Sequence, residues 1–146
     1  DALAYATELD PDEIVDLAAL TGACVVALGT ETAGLFSNND DLAGRLVDAA
    51  AKADESVWRM PLTPRIEDHL KSDVADMKNV GTRWGGAISA AHFLRRFVGA
   101  APWAHLDIAG PAMTDAEWEH INKGGTGFGV LALHAYVCGE RQRVSA

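Results

Sequence analysis

The sequence predicts an α/β fold with a mixed, largely parallel central sheet flanked by helices, and three features point there. Short apolar runs of strand length recur: Glu13 to Leu20, Ala23 to Leu28, AGLFS after Gly29, and PWAHLDIAGPA around Trp103. Between them lie stretches whose apolar residues repeat at helical spacing. Glycine and proline punctuate the boundaries, and strands alternating with helices call for a layered sheet.

Taken in order, Ala2, Leu3, Ala4, Tyr5 and Ala6 read as a helix closed by Glu8, Leu9 and the turn dipeptide Asp10-Pro11. No cap, methionine or turn precedes it, so the chain is expected to be a fragment truncated at its N-terminal side. Glu13 to Leu20 and Ala23 to Leu28, separated by Thr21-Gly22, have the length of buried strands, and AGLFS is a third. Asn39 is placed to cap a helix with Asp40 and Asp41 in its first turn and Leu42, Leu46, Ala49, Ala50 and Ala53 on one face. VWRMPL is extended through Leu62, and a short helix opens at Pro64. DVADMKNVGTRWGG is an irregular loop, and GAISAAHFLRRFVG a helix packed on most of its surface. In PWAHLDIAGPA, Ala104, Leu106 and Ile108 alternate with Trp103, His105 and Asp107 until Gly110-Pro111 stops the strand. MTDAEWEHINKGGTG is a polar loop, and FGVLALHAYVCG a final helix ended by Gly139.

A chain of 146 residues permits one ordinary domain with a real core. Hydrophobic residues make up 49% and charged residues 23%, with no apolar run of membrane-crossing length and no secretory pattern, so a soluble, cytoplasmic protein is expected. The net charge of −9 repels nucleic acid, and Arg95-Arg96 is too small a basic cluster to reverse it. Cys24 and Cys138 both lie in apolar segments and read as reduced, buried thiols rather than a disulfide framework.

In open sheets, ligands sit beyond the carboxyl ends of strands, here Thr21-Gly22 and Ala109-Gly110. A cysteine nucleophile would need an electropositive, partly exposed setting; the runs around Cys24 and Cys138 favour inert core thiols. His105 and Asp107, two apart on a strand, share a face and could grip a metal, or form a hydrogen-bonding pair, and no third ligand stands nearby. Asp73 and Asp76 read as solvated or capping, and His69, His92, His120 and His134 are scattered singly. GGTGFG, from Gly124 to Gly129, fits a phosphate loop in composition but matches neither glycine motif in register, and reads as a tight turn into the last helix.

Together LAALTGACVVALG, VWRMPL, DVADMKNVG, GGAISAAHFLRRF, WAHLDIAG and KGGTG resemble, in order and spacing, the C-terminal half of the catalytic domain of the leucyl (cytosol) aminopeptidase family, the two-metal peptidases of clan M17. The likeness spans roughly Asp1 to Val137, and it makes residues 1–146 the C-terminal portion of such a domain. In that family the helix matching DALAYA is entered from a segment reading Asn-Thr-Asp-Ala-Glu-Gly-Arg, whose Asp and Glu bind metal and whose Arg assists catalysis. The resemblance therefore implies two divalent ions, Zn or Mn, held by residues upstream of Asp1, with no metal ligand or catalytic side chain in this segment. It implies peptide substrates, a hexameric assembly and a pocket wall here: Leu20, whose carbonyl accepts from the substrate's amino group, with Ala19, Thr21 and Gly22 around it. Ala109 and Ala112 match positions lining the pocket for the N-terminal side chain, and Val80 a position beside the next substrate residue. Where the family often carries Thr and Met, Ala19 and Ala112 imply a roomier pocket. Phe128-Gly129 replaces a frequent Arg-Pro or similar pair. The expectation is thus part of an aminopeptidase removing N-terminal, preferably apolar, residues and inactive alone; a free-standing noncatalytic peptide-binding or assembly module is the alternative.

Overall fold

The computed structural model describes residues 1–117 and 121–144, the last five of these by backbone alone. His120 and the middle of the expected polar loop lie outside the described residues. Four strands, β1 (Ile14–Ala18), β2 (Ala33–Ser37), β3 (Val57–Arg59) and β4 (Trp103–Asp107), form one sheet in the order β1-β4-β2-β3. The pairs β1/β4 and β2/β3 are parallel and β2/β4 is antiparallel, so the sheet is mixed and largely parallel as expected.

Period-two alternation along β4 divides the core. Trp103 faces a cluster with Ile14, Phe36 and Val98, closed by Cys24 from α2 (Gly22–Leu28) and by Ala87 and Ala91 from α5 (Gly86–Arg95). Leu3 and Ala6 of α1 (Ala2–Glu8) pack at its margin. Ala104 and Leu106 face the other way, onto Ala33, Leu35 and the Leu42, Ala43 and Leu46 stripe of α3 (Asp40–Lys52), with Leu133 and Tyr136 of α6 (Val130–Val144) against them. The result is a helix-sheet-helix sandwich. Among the described residues no helix is long and apolar enough to cross a membrane.

Local signals explain the elements. Asn39 accepts a hydrogen bond from the Leu42 amide at 2.9 Å and caps α3, whose first turn carries Asp40 and Asp41. Pro64 opens the four-residue α4 (Pro64–Glu67), which runs into a 3-10 turn at Asp68–Leu70. Residues 71–85 form the irregular loop, and Asp73 and Asp76 share no helix.

Three expectations are corrected. Ala23 to Leu28 is the helix α2 rather than a strand: Thr21 accepts from the Cys24 amide at 3.0 Å and Gly29, at φ 78°, ends it. The flanking Thr and Gly are a helix cap and stop, and they outweigh the β-branched Val25-Val26. Gly139 does not end α6, which continues to Val144; a glycine inside a helix costs about 1 kcal/mol without terminating it. Cys138 is exposed on that helix, with Sγ 3.7 Å from His134 Nε2, whereas Cys24 is buried as expected. The polar loop also contributes an unforeseen two-stranded ribbon, β5 (Met113–Thr114) against β6 (Gly124–Gly125).

Two carboxylates pin the α3/α6 layer. Glu13, just before β1, accepts from Arg45 of α3 and from the Tyr136 hydroxyl of α6, while Arg45 Nε also bonds Asp41 Oδ2 at 2.8 Å. Glu55 accepts from the Gly129 and Ala132 amides at 2.8 and 2.9 Å, occupying the start of α6.

Two outcomes follow. Partial burial raises the Glu13 pKa, but the hydrogen bonds from Arg45 and Tyr136 outweigh it and hold the carboxyl below its usual 4.5. A depressed folded pKa stabilises above the unfolded value and is lost as pH falls through the folded one. The denaturant midpoint of wild type should therefore exceed that of Glu13→Gln at neutral pH, and the gap should close below pH 4.5; a constant gap contradicts the network. Burial first, and the Asp107 charge second, push the Cys24 thiol up. Iodoacetamide should modify Cys138 in the folded protein and Cys24 only after unfolding, as peptide mass mapping would show; fast labelling of Cys24 contradicts its placement.

Candidate functional site

The parallel strands β1 and β4 end side by side, Ala18 opposite Asp107, and the chain leaves each into an irregular segment. The geometry of both segments is set by Asp107, which is 1% exposed. Its Oδ1 accepts from the Leu20 amide at 3.1 Å, the Thr21 amide at 3.3 Å and the Ala109 amide at 3.2 Å. Its Oδ2 accepts from the Thr21 hydroxyl at 2.6 Å, and that hydroxyl oxygen in turn accepts from the Cys24 amide. A buried carboxylate is costly unless its lone pairs are matched, and here four donors match them. Thr21 thus serves twice, as cap of α2 and as link to β4.

This arrangement gathers most of the residues expected at the site. Ala19, Leu20 and Gly22 are exposed, Thr21 is half-buried beneath them, and Ala109 and Ala112 are half-buried across the gap. Ala112 donates to the Ile108 carbonyl at 3.0 Å and accepts from Thr126 at 3.1 Å, which fastens this segment to the ribbon. Gly110 is required by close approach: a Cβ there would lie 2.4 Å from the Gly29 carbonyl oxygen. A Cβ on Gly22 would meet nothing within 4 Å, so that position opens onto free space. Val80, 72% exposed, lies outside the Asp107 hydrogen-bond set, in the 71–85 loop; that loop ends at Gly86, where a Cβ would sit 3.1 Å from Cβ of Ala23 in α2.

The structure separates the roles of His105 and Asp107. His105 Nδ1 donates to Asp16 Oδ1 at 2.6 Å, and Asp16 Oδ2 accepts from Trp103 Nε1 at 2.6 Å. The imidazole stacks with Trp103 and Phe36 at centroid distances of 6.3 and 6.1 Å. His105 is therefore committed to Asp16, and Asp107 to the loop amides. Among the described residues no three of His, Cys, Asp or Glu gather where they could hold a metal ion, so the side chains present do not fit a two-metal centre. Cys24 is no nucleophile candidate, its thiol being buried and pushed toward the neutral form. In GGTGFG, Gly127 and Gly129 take positive φ of 72° and 92°, and Thr126 bonds both the Pro111 carbonyl, at 2.6 Å, and the Phe128 amide. It is the tight turn expected, and the Glu55 carboxylate already occupies the helix-start amides a phosphate would need. What the site offers chemically is a set of small apolar residues, exposed or half-buried, bordered by fixed peptide groups.

Sequence reasoning missed Asp107 as the organiser of this region. The available signal was an acidic residue closing an apolar strand that runs straight into Ile108-Ala109-Gly110, a place where exposed backbone amides need an acceptor.

The model of the cytosol aminopeptidase family, catalytic domain, matches residues 1–134. A probable cytosol aminopeptidase of Trichodesmium erythraeum is 57% identical over 133 residues, covering 91% of this chain and 27% of the relative. One from a Picosynechococcus species is 54% identical over 137 residues, covering 94% and 28%. A solved tomato leucine aminopeptidase mutant superposes with a TM-score of 0.88 at 47% identity, covering 94% of this chain and 26% of that one. The chain thus spans little more than a quarter of the length of the relatives it matches. Its sequence and its fold agree, and the chain belongs to the cytosol aminopeptidase family.

Proposed function

We propose that this chain is the substrate-pocket wall and scaffold of a two-metal aminopeptidase that removes N-terminal, preferably apolar, residues from peptides. The observation that carries the reading is the pairing of fixed backbone groups at Leu20 and Thr21 with small residues, Gly22, Ala109 and Ala112, at the ends of two parallel strands. Small apolar residues leave room for a side chain and add no polar group to desolvate. The carbonyl of Leu20 receives the substrate's amino group, Ala109 and Ala112 line the space for its side chain, and Val80 stands beside the following residue. Two divalent ions, zinc or manganese, would when bound contribute water activation and Lewis-acid polarisation of a carbonyl. In this reading their ligands belong to parts of the protein beyond these 146 residues; among the described residues no three of His, Cys, Asp or Glu gather where they could hold an ion. The protein works in the cytoplasm, as a hexamer, on peptides.

The test uses the intact protein and this chain side by side with leucine p-nitroanilide and manganese or zinc. The intact protein should turn the substrate over and the 146 residues alone should not; turnover by the chain alone contradicts the assignment of the metals. Gly22→Val, whose Cβ would meet nothing within 4 Å, should leave thermal stability and metal content unchanged and lower kcat/KM by about tenfold or more. Full activity in that variant removes Gly22 from the pocket.

A further inference from the structure

The surface between the two strand ends is made of peptide groups, and the direction of each is fixed by what lies behind it. In a planar trans peptide the N–H and the C=O point in opposite directions. The Thr21 N–H points inward to the Asp107 carboxylate, so the Leu20 carbonyl in the same peptide points away from it, in a residue that is 40% exposed. The Leu20 N–H does the same for the Ala19 carbonyl. One buried anion therefore turns two successive carbonyls outward, beside Gly22, which has no side chain to screen them.

Outward carbonyl oxygens accept hydrogen bonds and carry partial negative charge, so the matching ligand group is an N–H donor, best a protonated amine. The third amide held by the same carboxylate, Ala109, fixes the facing wall in the same frame. Asp107, at 1% exposure, is screened from any ligand and acts only through these bonds.

We propose that Asp107 is the positioning residue for amino-terminus recognition: it touches no substrate, and its carboxylate sets the directions of the Ala19 and Leu20 carbonyls and the seat of Ala109. The inference rests on the aminopeptidase reading above. Asn at 107 keeps an oxygen for the three amides and an N–H for the Thr21 hydroxyl, whereas Ala leaves the amides without an acceptor.

The experiment compares the intact protein with its Asp107→Ala and Asp107→Asn variants, using leucine p-nitroanilide as substrate. Leucinamide and 4-methylpentanamide, the same molecule without its amine, are the competing ligands. Asp107→Ala should raise KM and the leucinamide inhibition constant by about tenfold, with kcat within about threefold and 4-methylpentanamide binding unchanged; Asp107→Asn should recover most of the loss. A folded Ala variant that keeps its KM, or that loses both amides' binding equally, overturns the proposal. Should that variant fail to fold, Thr21→Val, which removes the bond to Oδ2 together with the cap on the Cys24 amide and leaves the carboxylate in place, should raise KM by about threefold, with Thr21→Ser restoring it; an unchanged KM there also overturns it. A wild-type protein that binds leucinamide in preference to 4-methylpentanamide yet turns nothing over sinks the aminopeptidase reading alone, and one that fails to prefer the amine sinks the positioning role.

Discussion

A carboxylate buried at the end of a strand is tolerated only where donors surround it, and Asp107 obtains all of its donors from segments that have no regular structure of their own. Each of those segments would otherwise leave amides unsatisfied in a half-buried place, at a cost of about 1–3 kcal/mol apiece. The same bonds thus settle two problems, a charge without solvent and backbone without a ladder. Through Thr21 the arrangement extends to the cap of α2, so the exposed segment at 19–22 and the helix that follows it are set by one group.

That group must itself be held still, and the rest of the fold does this. β4 lies between β1 and β2, with both faces covered by helices, and the residues that precede Asp107 in the strand anchor it in both core clusters, Trp103 in one and Ala104 and Leu106 in the other. Close backbone approaches tighten the frame. A Cβ on Gly34 would sit 2.7 Å from Cys24 Sγ, and one on Gly129 would sit 2.3 Å from Leu17 Cδ2. The sheet and the helices touching it leave little room for substitution at these points. On the opposite layer, Glu13 and Glu55 tie α3 and α6 to the sheet by charge-assisted bonds.

Much of this was legible in the residues. The Asn39 cap, the Leu42 and Leu46 stripe and the alternation at Ala104 and Leu106 are periodic signals, and the elements follow them. ACVVAL misled because a seven-residue helix and a buried strand carry the same apolar content; the deciding features were Thr21 and Gly29, a cap and a stop that resemble turn residues. Gly139 misled in the other direction, since a helix tolerates an interior glycine when its neighbours continue the pattern. The last shortfall concerned exposure, Cys138 lying on the outer face of a helix with an apolar sequence.

The strand-end positions of the candidate site were legible too, because parallel strands leave their carboxyl ends for ligands and the glycines at 22 and 110 mark the exits. What holds those exits in place was hidden: Asp107 and Leu20 are 87 residues apart, and nothing local links them. The claim that one carboxylate governs both segments is tested most directly by amide hydrogen exchange in wild type and Asp107→Ala. Protection at Leu20, Thr21 and Ala109 should fall together, by about tenfold or more, while the amides of Leu46 and Ala49 in α3 keep theirs. Unchanged protection at these three amides, or a loss confined to Ala109, would contradict it.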